Sequence, residues 1–273
     1  MFWLASYPKS GNTWIRVFLT NLIIGGKGTF NINQLMKTYF ANDNQLIEHF
    51  TPFEPSELTF QELENVRKRL FHQLPKLVLK ESCVKIHHAN QLFQLNESLL
   101  SDLSQKVIYV VRNPLDVVIS LAYHQQWSID QSIEFLNNNN AIMGNPTKLN
   151  QRMSADFLSS WSRHYRSWKV GYPECLVIRY EDMLENEWIT FSSISKYLGF
   201  SFTKGEINEA IIKSKIGLLQ KQEAKTRFKE GSIVNQNFFR KGISGEWKSI
   251  LIPEQIERIV SRHGLVMEEL NYL

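Results

Sequence analysis

The chain has 273 residues, 43% of them apolar and 21% charged, the proportions of one ordinary globular domain with a core of its own. A net charge of only +4, without a long basic block, argues against nucleic acid as the main partner. The two cysteines, Cys83 and Cys175, show no CxxC or Cys/His spacing, so a reduced compartment and no metal are expected.

The first element is "FWLAS" (2–6), an apolar run suited to a parallel strand covered on both faces. It leads through "YPKSGNTW" (7–14) into a helix from Asn12 to Ile24. A strand, a turn carrying a cation and Gly11, then a helix N-terminus is the shape of an anion cradle. Lys9 supplies a mobile charge, Ser10, Asn12 and Thr13 supply donors, and Trp14 can stack on a base. The order Lys9-Ser10-Gly11 is reversed from the common P-loop, where Gly-Lys-Ser/Thr ends the loop. An ordinary turn with a surface lysine is the alternative. The helix itself, "WIRVFLTNLII", is interrupted by Arg16 and is too short to span a bilayer. It reads as a buried amphipathic helix in a cytoplasmic protein with no membrane partner.

"TFQE" (59–62) is a capping box opening a helix to about Phe71. "CVKIHH" reads as a strand end: with period two, Val84 and Ile86 face the core, Lys85 and His87 face the opposite side, and His88 turns back with Ile86. "KVIYVV" (106–111) is the next buried strand, followed by Arg112 and a helix entered at Asn113-Pro114 and running to about Trp127. An arginine at a strand end is shaped for bidentate phosphate contact, and Ser120 follows about two helical turns on. A helix-capping arginine and a solvent-facing serine are the alternative. "NNNN" (137–140) reads as an exposed loop. The spacing of Phe157, Leu158, Trp161, Tyr165 and Trp168 predicts a helix over 152–170. "ECLVIRY" (174–180) is a third apolar strand, followed by a helix from Met183 to about Leu198. Residues 204–248 carry ten Lys/Arg against five Asp/Glu, a local basic surface suited to one small polyanion. Within them 225–239 reads as a mobile lid, and "FFRKGISGEWK" (238–248) as a glycine-flanked basic loop able to fold over a phosphate. Strands alternating with helices give an α/β fold, one domain over 1–273, with a central parallel sheet flanked by helices and ligands at the carboxyl ends of the strands.

Together these stretches resemble the cytosolic-type sulfotransferases that use 3′-phosphoadenosine 5′-phosphosulfate (PAPS). "YPKSGNTW" is similar to that family's 5′-phosphosulfate loop, "RNPLDVVIS" to its 3′-phosphate motif, and "RKGISGEW" to its RKGxxGDWK motif, with Glu246 for Asp. "RYEDM" (179–183) also matches, Tyr180 standing at an adenine contact. The resemblance implies a P-loop-like sulfotransferase fold and PAPS as co-substrate, without a metal. It implies that Lys9, Ser10, Gly11, Asn12, Thr13 and Trp14 hold the phosphosulfate. Arg112, Ser120, Arg240, Lys241 and the Gly242 backbone would hold the 3′-phosphate, and Ser214 would approach the adenine, although "KSKIGLL" lacks the usual Ser-Phe. The family's Lys-Thr-His stretch falls on "VKIHHA", giving Lys85 and general base His87, with Ile86 replacing Thr. Lys9 and Lys85 would then stabilise charge on the moving group. The family's dimer motif is broken here by Ile252-Pro253, which leaves monomer or homodimer open.

The implied acceptor is a small molecule, a natural product of secondary metabolism such as an alkaloid, sulfated on a hydroxyl or an amine. Phe30, Tyr39, Phe40, Phe50, Phe53, Tyr123 and Trp127 are candidates for an apolar acceptor wall, or are core. Asp43, Glu48, Asp130 and Glu134 would suit a cationic acceptor, or are surface. Two rivals stand beside this reading: a P-loop nucleotide kinase, and a PAPS-binding protein without catalysis.

Overall fold

The computed structural model describes residues 1–25, 30–79, 81–93, 95, 97–100, 105–144, 152–231 and 237–273. Its framework is a five-stranded parallel sheet, formed in chain order by β1 (Phe2–Ser6), β2 (Thr38–Phe40), β3 (Cys83–Ile86), β4 (Lys106–Val111) and a last strand at Leu176–Arg179. Between the fourth and last strands lies a short antiparallel pair, β5 (Ile142–Met143) and β6 (Asp156–Phe157), which makes the last strand β7. The sheet order is β2-β3-β1-β4-β7, with β1 in the middle.

The helices follow as α1 (Asn12–Ile24), α2 (Asn44–Glu48), α3 (Phe60–Leu77), α4 (Pro114–Gln125), α5 (Ile129–Asn137) and α6 (Trp161–Gly171). After β7 come α7 (Tyr180–Glu185), α8 (Glu187–Leu198), α9 (Lys204–Lys213), α10 (Ile216–Thr226), α11 (Trp247–Ile250) and α12 (Pro253–Glu269). Successive strand residues point to opposite faces. Trp3, Ala5, Val84, Ile86, Val107 and Tyr109 bury against α3, α4, α6 and α12. Phe2, Leu4, Cys83, Ile108 and Val110 bury against α1, α8 and α9. Helices on both faces explain why these strands are apolar without alternation.

Caps fix several helix starts. Thr59 and Glu62 form the expected capping box, and the same device opens α5 (Ser128, Gln131) and α9 (Thr203, Glu206). The Asn113 side chain accepts from Leu115 N at 3.0 Å, with Pro114 at the first helical position.

Three sequence expectations are corrected. The helix expected to end near Phe71 runs on to Leu77 with Pro75 inside it, its apolar face continuing through buried Leu74. Residues 152–160 are not helical. Asp156 and Phe157 pair with Met143 and Ile142, Ser159 has φ of 57°, and the helix begins only at Trp161. Phe157 and Leu158 thus reach the interior from an extended segment, an override of local periodicity by tertiary pairing. The helix expected over 183–198 is two helices, α7 and α8, separated at Asn186. Among the described residues, no helix is long and apolar enough to cross a membrane.

Candidate active site

Parallel register brings the carboxyl ends of β3, β1, β4 and β7 side by side. Ala5 pairs with Ile86, Ser6 with Val110, and Val111 with Arg179. The residues that follow these strand ends are the loop at Tyr7–Gly11, His87, Arg112 and Tyr180. They open onto one cavity of about 470 Å³. Its wall includes Lys9, Gly11, Asn12, Thr13, Trp14, Lys85, His87, Arg112, Ser120, Tyr180, Ser214, Arg240, Lys241 and Gly242. Of the expected site residues only Ser10 is missing from that wall; it is buried, and its Oγ has no partner in the protein.

The loop is closely built. Gly11 has φ of 108°, and a Cβ there would come within 2.7 Å of the Tyr180 ring, so only glycine fits. Lys9 also lies in the left-handed region, at φ 68°, a conformation that costs free energy in a non-glycine residue. Its carbonyl accepts from Arg112 Nη1 at 3.4 Å, while Nη2 donates to Ile243 O at 3.0 Å. Arg112 thereby joins the first loop to the C-terminal basic loop. The guanidinium lies 4.4 Å from the Tyr180 ring centroid, and Trp14 meets Tyr180 edge-on at 5.8 Å.

Two acidic residues hold this end in place: Asp116, which the sequence did not single out, and Glu246, noted there only as a substitute for the family's Asp. Buried Asp116 accepts from Gly245 N (2.7 Å) and Trp247 N (3.1 Å), anchoring the basic loop to α4. Glu246 accepts from Arg240 and, at 2.7 Å, from Lys241. The hydrogen-bonded Arg240 guanidinium pulls the Glu246 carboxyl down to about 2. Gly242, at φ 65°, sits where a Cβ would meet Ile216 at 2.7 Å.

The neighbouring histidines have different surroundings. His87 Nδ1 lies 2.8 Å from Ser6 O, and a carbonyl only accepts, so Nδ1 carries the proton. In the neutral ring the lone pair is then on Nε2. Burial first, and the Lys85 charge second, hold the His87 pKa well below its ordinary value, so the ring is neutral near pH 7. His88 is 1% exposed and turned away from the cavity. Its Nε2 pairs with Glu64 at 2.8 Å and its Nδ1 faces Ala89 O at 2.7 Å. The period-two register expected for this strand end holds: Val84 and Ile86 are buried in the core, while Lys85 and His87 line the cavity.

Cations crowd the cavity. Burial, then the charges of Lys85, Arg112 and Arg240, lower the Lys9 pKa to about 8. Burial, then Arg16, lower that of Lys85 to about 8 as well. The Arg112 Nε and the Trp14 Nε1 are buried without a partner in the protein. Crowded cations and orphaned donors around one cavity fit a bound polyanion, which would supply both charge and acceptors.

The wall also includes His124, Met143 and Glu230, none of them named from the sequence, and Phe238 and Phe239, which open the basic stretch 238–248. Burial, then Lys9 and Lys85, lower the His124 pKa to about 4, leaving it neutral. The expected acceptor aromatics Phe30, Tyr39, Phe40, Phe50, Phe53 and Trp127 do not line this cavity, and Tyr123 lines only a small adjoining one. Phe30 instead packs with Val17, Leu219 and Phe228. Of the acids suggested for a cationic acceptor, Asp43 caps α2 and Asp130 pairs with Arg258; Glu48 and Glu134 are not on the wall. Part of the expected lid, 232–236, and the stretches 27–29 and 145–150 lie outside the described residues.

Comparison with known proteins agrees with this geometry. The family model described as "Sulfotransferase domain" matches residues 1–270. Flavonol 3-sulfotransferase of Flaveria bidentis is 26% identical over 94% of this chain and 78% of its own length. Sulfotransferase 1A1 of Rattus norvegicus is 25% identical over 98% of this chain and 85% of its own. Among solved structures, mouse sulfotransferase SULT7A1 complexed with PAP superposes with a TM-score of 0.60 at 19% identity, covering 97% of this chain and 84% of that one. Retinol dehydratase with androsterone and PAP gives 0.61 at 18% identity, covering 97% and 80%. With its matching fold and its cavity at the strand ends, the chain belongs to the sulfotransferase family.

Proposed function

We propose that this protein moves the sulfuryl group of PAPS to a hydroxyl or amine of a small-molecule acceptor, with His87 as general base. The observation that carries the reading is the His87 tautomer: Nδ1 is held by Ser6 O, leaving Nε2 as a base on a cavity shared with Lys9 and Lys85. Bound PAPS supplies an activated sulfuryl group. His87 Nε2 takes the acceptor proton as the new bond to sulfur forms, a role worth about 10²–10⁴-fold. Lys9 and Lys85 offset the negative charge that develops as the bond to the 5′-phosphate oxygen breaks. Arg112, Ser120, Arg240, Lys241 and the Gly242 backbone bind the 3′-phosphate in this reading, and the turn at Ser10–Thr13 binds the 5′ side. Trp14, Tyr180 and Ser214 surround the base. No metal is assigned a role.

The chain acts as a single domain in the cytoplasm, and its acceptor is a natural product of secondary metabolism such as an alkaloid. The relatives' names support a small acceptor: one is a flavonol sulfotransferase. A kinase is disfavoured by the order Lys9-Ser10-Gly11 and by the family match. The test is transfer of label from ³⁵S-PAPS to a panel of small hydroxyl and amine acceptors. Labelled product lost in His87→Ala supports the reading. Tight nucleotide binding with no transfer to any acceptor would favour the non-catalytic alternative.

A further inference from the structure

Arg16, the charge that interrupts the apolar run of α1, is 1% exposed. A guanidinium so buried needs fixed partners. Its Nε donates to Thr38 Oγ1 at 3.2 Å, and Nη1 and Nη2 donate to the two carboxylate oxygens of Glu230 at 2.7 and 2.5 Å. The Glu230 carboxylate also lies 3.9 Å from Lys85 Nζ. The Phe40 ring is flanked by both cations, Arg16 Cζ at 5.6 Å and Lys85 Nζ at 5.0 Å from its centroid. Asn33 fixes the segment that carries Glu230: its Nδ2 donates to Arg227 O and its Oδ1 accepts from Lys229 N, both at 2.8 Å.

We propose that Glu230, clamped by Arg16, is a positioning residue for sulfuryl transfer that keeps Lys85 protonated and aimed into the cavity. The proposal rests on the reading of Lys85 as the lysine that meets the moving group. Without the Glu230 charge, Arg16 and Lys85 would flank one aromatic ring with no carboxylate held between them. Two like charges in a low-dielectric site repel, and the weaker acid cannot relieve this: Arg16 stays charged, so Lys85 gives up its proton. The other groups facing Lys85 are Asp156 from β6, Cys83 on its own strand, and Lys9, His87 and His124 around the cavity. Of these only Asp156 is a carboxylate, and burial raises its pKa, which weakens it as a replacement.

The test uses the full chain labelled with [¹³Cε]lysine, Lys85 being assigned with Lys85→Arg. In nucleotide-free protein, Glu230→Gln should lower the pH at which Lys85 titrates by about one unit or more. Arg16→Met/Glu230→Gln, which removes the repelling cation as well, should recover much of that shift. Glu230→Asp, which keeps the charge but withdraws it from Lys85, should move the titration the same way by less, and serves if Glu230→Gln does not fold. The alkaline limb of kcat/KM for PAPS should follow the lysine. An unmoved Lys85 titration overturns the proposal. So does a uniform loss of activity and melting temperature with the alkaline limb in place, the signature of a purely structural pair. The lysine titration needs no turnover, so it stands apart from failure of the transfer reading, which would show as wild-type protein without label transfer.

Discussion

Two parts of the cavity wall are built by different kinds of segment. The part proposed to hold the phosphates, the phosphate end, is made of turns at strand ends. There the backbone itself bends around the ligand site, and each bend admits few residues: glycine at 11 against the Tyr180 ring, glycine at 242 against Ile216. The rest of the wall is made of side chains from unrelated places. His124 comes from the last turn of α4, Met143 from β5, Glu230 from the segment after α10, and Phe238 from the approach to the basic loop. The two parts touch: the Phe238 ring lies 4.9 Å from Lys9 Nζ, and Glu230 lies 3.9 Å from Lys85 Nζ. The first part is set by local backbone geometry, the second by contacts between segments far apart in the chain.

The largest expected effect lies where the two parts meet. His87→Ala should lower kcat by roughly 10²-fold or more while binding adenosine 3′,5′-bisphosphate as before. His88→Ala should act oppositely. It removes one partner of the buried Glu64 carboxylate, which keeps Phe93 N at 3.2 Å and Arg67 at 3.3 Å. Losing one buried partner costs about 1–3 kcal/mol, so melting temperature should fall more than kcat. Steady-state kinetics with thermal melts of both variants checks this. Turnover abolished in His88→Ala but kept in His87→Ala would move the base to His88.

The next effect tests the phosphate end alone. Arg112→Ala removes a buried guanidinium and should weaken adenosine 3′,5′-bisphosphate by roughly ten- to a hundredfold, the scale of one lost charge-assisted contact. Lys241→Ala should cost less, since that ammonium is half exposed and already paired with Glu246. Calorimetry ranks the two. A larger loss for Lys241 would mean that the C-terminal loop, not the strand end, carries the 3′-phosphate.

A smaller effect comes with pH. Lys9 and Lys85 both titrate near pH 8 in the nucleotide-free protein, their pKa values lowered mainly by burial. They are charged below that pH and lose charge above it, so attraction for the donor is present in acid and is lost as pH rises. kcat/KM for PAPS, which reports the free enzyme, should therefore fall above about pH 8, where both lysines titrate. His87, held neutral to well below pH 6.5, should impose no acid limb near neutral pH. A profile flat to pH 10 would contradict the crowded-cation account.

How much of this was legible in sequence follows the same division. Four of the five sheet strands were legible because helices cover both faces, which writes apolar runs; β2, three half-buried residues at the sheet edge, and the short pair β5–β6 carry no such run and were not foreseen. The phosphate end was legible because turn chemistry is local: Lys9, Gly11 and Arg112 sit beside the strands that place them. The resemblance pointed to this strand end, and period two then put His87 on the cavity side and His88 with the core, as the structure has them. Asp116 was hidden, since one acid in a first turn looks like a dipole partner until Gly245 and Trp247 are found bonded to it. Glu230 was hidden because its partner Arg16 is 214 residues away. The aromatics were left open between acceptor wall and core because an aromatic in a loop carries no mark of which side it faces; Phe30 is core.

The central claim is that the cations at the phosphate end select a nucleotide bearing both a 5′- and a 3′-phosphate. Calorimetric titration of the wild-type protein with adenosine 3′,5′-bisphosphate and with adenosine 5′-monophosphate tests it directly. The bisphosphate should bind tighter by roughly ten- to a hundredfold or more, with the difference largely lost in Arg112→Ala. Equal affinity for the two nucleotides, or a preference for ATP over the bisphosphate, would contradict it.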